Sequence, residues 1–114
     1  MAKSRIPNAL DRRHLVERKV APAQALRIAD AYLAEDRKPE ALDFLRLAGA
    51  ADKLAELRRE AIAAGDAFLF RSIAASEGVA PTREEWSALA DAAARSGRGL
   101  YAEQARRQAQ RGKE

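Results

Sequence analysis

A chain of 114 residues is long enough to fold as one domain, burying roughly two-thirds of its unfolded surface. Without cysteine it holds no disulfide, thiolate nucleophile or cysteine-ligated zinc, and a reducing cytoplasm is the expected compartment. The net charge of +4 lies at the ends: residues 1–20 and 95–114 each carry six basic and two acidic groups, whereas 21–60 carry seven against eight and 61–94 two against five.

Alanine, leucine and arginine predominate and β-branched residues are few, so local preferences favour helix and no strand is expected. Met1 to Leu15 mixes Lys3, Arg5, Pro7, Asp11, Arg12 and Arg13, which is not the apolar core of a signal peptide. No apolar run has the length of a membrane span, so a soluble protein is expected.

In chain order, Asn8 predicts the cap of a short helix reaching Lys19, interrupted by Ala21-Pro22. Pro22 opens a second helix ending near Glu35. Asp36-Arg37-Lys38 forms a turn, and Pro39 opens a third helix that runs to Gly49. Asp52 is the expected cap of a fourth helix ending at Gly65, and Asp66 caps a fifth immediately, so these two lie antiparallel. Gly78 and Pro81 mark a break. Thr82-Arg83-Glu84-Glu85 is a capping box opening a sixth helix, which ends at Ser96-Gly97. A seventh runs from Leu100 to Arg111, and residues 112–114 are expected to fray. The organisation is thus a basic arm with a short helix (1–21), a domain of three helical hairpins (22–111) and a tail (112–114).

An internal repeat links the outer hairpins. Ala25, Ile28, Ala29 and Tyr32 share one helical face, and Ala41, Leu45 and Ala48 share a face of the next helix. A constant shift of 61 residues (25 to 86) turns these into Trp86, Leu89, Ala90, Ala93, Ala102, Arg106 and Ala109. The middle hairpin offers Leu54, Leu57, Ala61, Phe68, Leu69 and Ile73 as its inward set. Trp86, Tyr32, Phe44, Phe68, Phe70 and Tyr101 are read as packing residues between layers, one or two of them as exposed anchors.

With Trp86, Leu89, Ala90, Gly97, Ala102 and Ala109 in the last hairpin, and Ala29, Tyr32, Ala41, Leu45 and Ala48 in the first, the chain resembles the tetratricopeptide repeat family. The shift is shorter than two of that family's periods of about 34 residues, so the middle hairpin is compressed, and Arg106 stands where an aromatic is usual. The resemblance implies an all-α fold of three stacked antiparallel hairpins, a short α-solenoid, preceded by the short N-terminal helix. It also implies a protein-binding adaptor or assembly subunit that holds a partner segment in a groove made by the first helices of the hairpins. Leu26, Asp30 and Leu33 would line that groove from the first hairpin, and Ser87, Asp91 and Ala94 from the third. Family members that grip a C-terminal carboxylate use basic residues and Asn there. The central Asp30 and Asp91 point instead to a basic or amphipathic helix.

No catalytic constellation, cofactor site or metal set is legible. His14 is the single histidine and reads as a surface residue. Glu84 and Glu85 open a helix, where the dipole accounts for them. Asp43 with Arg46, Glu56 with Arg59, and Glu103 with Arg107 have the spacing of solvated helix-surface pairs. No Gly-rich phosphate loop follows a strand. The alternative function is binding of nucleic acid or an acidic protein through a basic patch of Arg95, Arg98, Arg106, Arg107 and Arg111, with Tyr101 the one aromatic among them. A third reading is self-association or docking of the open stack ends into a larger assembly.

Overall fold

The computed structural model describes residues 6–111, so the expected tail at 112–114 and Lys3 and Arg5 of the basic arm lie outside the described residues. Seven α-helices and no strand occur among the described residues, as the composition predicts: α1 Ala9–Glu17, α2 Pro22–Ala34, α3 Lys38–Ala48, α4 Ala51–Ala64, α5 Ala67–Glu77, α6 Arg83–Arg95 and α7 Gly99–Arg111. The chain divides into two compact units, Met1–Leu54 and Ala55–Glu114, with the boundary inside α4.

In the first unit α2 packs on α3. Alanines at 25, 29 and 41 are fully buried and let the backbones approach, while Ile28, Tyr32, Leu42, Phe44 and Leu45 fill the remaining space. The Tyr32 and Phe44 rings stack with centroids 5.9 Å apart. Ala48, at the end of the predicted packing face, is only half-buried. Helix α1 buries no residue of its own. Asn8 caps it by accepting from the Asp11 amide. Its tie to α3 runs through Arg12, whose Nη2 donates to the Glu40 carbonyl at 2.9 Å and to the Asp43 carboxylate at 3.2 Å. The same guanidinium lies over the rings of Tyr32 and Phe44, at 5.8 and 5.5 Å from their centroids. Asp43 therefore pairs across helices with Arg12, the residue that can reach it from α1, and the local pair with Arg46 does not form.

A helix with no buried side chain draws little from the hydrophobic effect, so its docking depends on that one arginine. Arg12→Ala should accelerate amide exchange across residues 9–17 roughly tenfold, from the loss of one set of charge-assisted bonds. The α2–α3 amides should keep their protection. Unchanged exchange in α1 would show that other contacts hold it.

The second unit comprises the remainder of α4 with α5, α6 and α7. Leu57 and Ala61 of α4, Leu69, Phe70, Ile73 and Ala74 of α5, and Trp86, Leu89, Ala90 and Ala93 of α6 are buried. Phe70 meets Trp86 edge to face at 4.8 Å. Helix α7 packs on α6 almost wholly through alanine, at 102, 105 and 109. Asp66 caps α5 by accepting from the Leu69 amide, and Thr82 and Glu85 form the predicted capping box at the start of α6.

Two sequence expectations change, for Phe68 and Asp52, and Tyr101 takes the exposed role allowed for one or two of the aromatics. Phe68, expected to face inward, is 68 % exposed, because it stands about 200° around α5 from Phe70, whose face is the buried one. Tyr101 is 44 % exposed, since the alanine contact of α7 sets a core face that Tyr101 only flanks. Asp52 is not a cap: α4 already starts at Ala51, where the Ala50 carbonyl accepts from the Leu54 amide, and Asp52 sits in the first turn.

Candidate interaction surfaces

On α2, Leu26, Asp30 and Leu33 lie beside the buried stripe at spacings of four and three, which keeps them on one outward-facing strip of the helix. Leu26 and Leu33 are half-buried and Asp30 is exposed. Leu26 forms one wall of a shallow hollow whose other walls come from Gly49, Ala50 and the first residues of α4. Asp30 does not stand free: it accepts a hydrogen bond from Lys53 Nζ at 2.5 Å. The pair neutralises the acid that the sequence suggested would read a basic partner, and Lys53 joins the strip as a residue that sequence reasoning missed.

On α6, Ser87, Asp91 and Ala94 are all exposed on one face, opposite buried Leu89, Ala90 and Ala93. Asp91 makes no ion pair with any described residue, so its charge is available to a partner. The three α2 positions belong to the first unit and the three α6 positions to the second.

The five arginines of the basic patch are likewise exposed and make no salt bridge among the described residues. Their phases on the helix are not uniform. Arg107 and Arg111, four apart, share the outer face of α7 with exposed Leu100, whereas Arg106 is turned about 100° away from Arg107. Glu103 with Arg107, and Glu56 with Arg59, share helix faces without forming the expected pairs.

The most organised charge in the chain was not anticipated at all. Arg58 of α4 is only 7 % exposed, and all five of its N–H bonds are used. Nε and Nη2 donate to the two carboxylate oxygens of Glu85 at 2.6 and 2.7 Å, a bidentate fork. Nη1 donates to Glu77 at 3.0 Å and to the Val79 carbonyl at 3.2 Å, and Nη2 also donates to the Ala80 carbonyl at 3.3 Å. The guanidinium stacks over Phe70 at 5.1 Å. The bond from Arg58 holds the Glu85 carboxyl down at about 2, against partial burial and with help from the Thr82 amide. The same bond raises the Arg58 pKa. Leu54, Leu57, Arg58 and Ala61 fall at the spacing of a buried stripe, so the signal for an internal arginine was present in the sequence.

By binding the Val79 and Ala80 carbonyls, Arg58 fixes the α5–α6 connection. Val79 is left 52 % exposed at the rim of a hollow of about 390 Å³ formed with Arg71, Ala74, Ala75, Gly78 and Pro81. His14, also exposed, borders a separate surface hollow on α1 with Asp11, Leu15 and Arg18. Among the described residues no group of three or more His, Cys, Asp or Glu is placed to hold a metal ion, and no helix is long and apolar enough to cross a membrane. No protein-family model, curated protein or solved structure matches this chain.

Proposed function

We propose that the chain is a non-enzymatic protein-binding module, an adaptor or assembly subunit of tetratricopeptide-like helical hairpins working in the cytoplasm. The outward face of α2 in the first unit and that of α6 in the second each offer a docking surface to a basic or amphipathic segment of another protein. The observation that carries this reading is the division of α6 into a buried back and an exposed front. On α6, buried Trp86, Leu89, Ala90 and Ala93 hold the helix in place, while Ser87, Asp91 and Ala94 face outward and the Asp91 carboxylate has no ion-pair partner among the described residues. A rigid helix bearing an unsatisfied charge is pre-organised for a partner, because little side-chain or backbone freedom is lost on binding. On α2 the half-buried Leu26 and its hollow offer apolar contact, and Asp30 with Lys53 offers a charge pair that can exchange partners.

The competing reading rests on the exposed arginines of the last hairpin, which make no salt bridge among the described residues. Fluorescence anisotropy of labelled duplex at rising salt separates the two. Neutralisation of about four phosphates would give a logarithmic salt slope near −3.6. The protein-binding reading expects no appreciable duplex affinity at physiological salt. Tight binding there, with that slope and lost in Arg106→Ala/Arg107→Ala/Arg111→Ala, would replace it with the nucleic-acid reading.

A further inference from the structure

We propose that the outer face of α5 is a second docking surface, separate from the α2 and α6 faces, and that its occupant is an amphipathic helix carrying carboxylates opposite Arg71. Phe68, Arg71 and Ala75 follow one another at spacings of three and four along the exposed side of α5, and Val79 continues the line past the Gly78 cap. Phe68 and Val79 are among the most exposed large apolar side chains of the described residues, and Val79 lines, with Arg71 and Ala75, the hollow that also holds Ala74, Gly78 and Pro81. An apolar strip of this kind with a recess at one end matches the anchors an incoming helix presents every three or four residues.

Charge decides which helix. Arg71 lines the hollow, lies over the Trp86 ring at 5.4 Å and has no carboxylate partner among the described residues. The acids on either side of the α5–α6 connection, Glu77 and Glu85, are both turned inward onto Arg58. Burial of Arg58 thus removes the two carboxylates that would otherwise neutralise this end of the unit. Arg83, exposed just beyond Pro81, adds positive charge, and Glu84 beside it offsets one of the two. The face sets the Arg71 cation, without a carboxylate partner among the described residues, between apolar Phe68 and Ala75 with Val79 beyond, which complements an acidic amphipathic helix and repels a basic one.

The test is selection from a displayed library of helix-forming peptides with randomised surface charge, using the full chain as bait. Selected helices should be enriched in Asp or Glu three or four residues from an apolar anchor. Their affinity should fall about thirtyfold on Phe68→Asp, as for an interface anchor, and about tenfold on Arg71→Glu. Both positions are exposed, and circular dichroism checks that the variants fold; Phe68→Ser replaces Phe68→Asp if the latter does not. Absence of binders, enrichment in Lys or Arg, or affinities indifferent to these changes would overturn the proposal. So would a concentration-dependent dimer abolished by Phe68→Asp, which would assign the face to a second copy of the chain. Binders lost only in Leu26→Asp or Asp91→Arg would overturn this surface and leave the α2 and α6 reading standing.

Discussion

Arg58→Ala is expected to destabilise the second unit by about 3–5 kcal/mol, measured by denaturant unfolding at neutral pH. The magnitude comes from what the substitution leaves behind. Glu77 and Glu85 lose their counter-ion, two backbone carbonyls lose their donors, and Phe70 loses the group stacked on it. The pH dependence follows from Glu85. Its carboxyl titrates at about 2 in the folded protein, below the ordinary value of 4.5, so the folded state binds the proton less tightly than the unfolded chain. The stabilisation from this pair is therefore complete above about 4.5 and is lost as pH falls from there through about 2. Glu85→Gln should be less stable than the parent at pH 7, and the gap between them should close across that acid range. A gap that persists undiminished to pH 2 would show that Glu85 is not the titrating partner.

Gly65→Ala should have a comparable effect for a different reason. Gly65 ends α4 with φ +70°, and an added Cβ would stand 2.6 Å from both the N and Cα of Ala93. Left-handed backbone costs an alanine about 1–2 kcal/mol, and pushing two helices apart adds about 1–3 kcal/mol. Gly78 supplies the control, because it has the same φ of +70° and open space where the Cβ would go. Gly78→Ala should cost only the backbone part, about 1–2 kcal/mol. Equal effects at the two positions would mean that α6 yields freely at Ala93.

Most of the helical frame was legible because its signals are local. Asn8, Asp66 and Thr82 cap helices as expected, the Thr82–Glu85 box closes, and Gly49 and Gly78 terminate α3 and α5 in the left-handed conformation. The alanine contacts of α2 with α3 and of α6 with α7 were legible from period. What failed was inference from residue type without helical phase. Phe68 was placed on the inward face of the middle hairpin, and Tyr101 among six packing aromatics of which one or two were expected to be exposed; both fall outside the buried arcs defined by Phe70 and by Ala102 and Ala105. Arg58 was passed over, because the inward set was drawn from apolar residues alone, although it occupies the stripe of Leu54, Leu57 and Ala61.

The candidate surfaces divide in the same way. The exposure of Ser87, Asp91 and Ala94 follows from the period of α6 and was predictable. The pairing of Asp30 with Lys53 and of Asp43 with Arg12 joins residues 23 and 31 positions apart, which only the packing of helices brings together. Partner identity has no local signal of either kind, because an unpaired carboxylate on a rigid helix specifies a charge and a shape rather than a name.

The claim that this is a protein-binding module is tested most directly by quantitative capture from native extract on the tagged full chain. Three forms are compared: the parent, Leu26→Asp/Asp91→Arg, and Arg106→Ala/Arg107→Ala/Arg111→Ala, each first shown to fold alike. The account predicts a defined protein retained in stoichiometric amount by the parent and by the arginine variant, and lost from the Leu26/Asp91 variant. Retention by the Leu26/Asp91 variant with loss from the arginine variant would contradict it and move the site to the last hairpin.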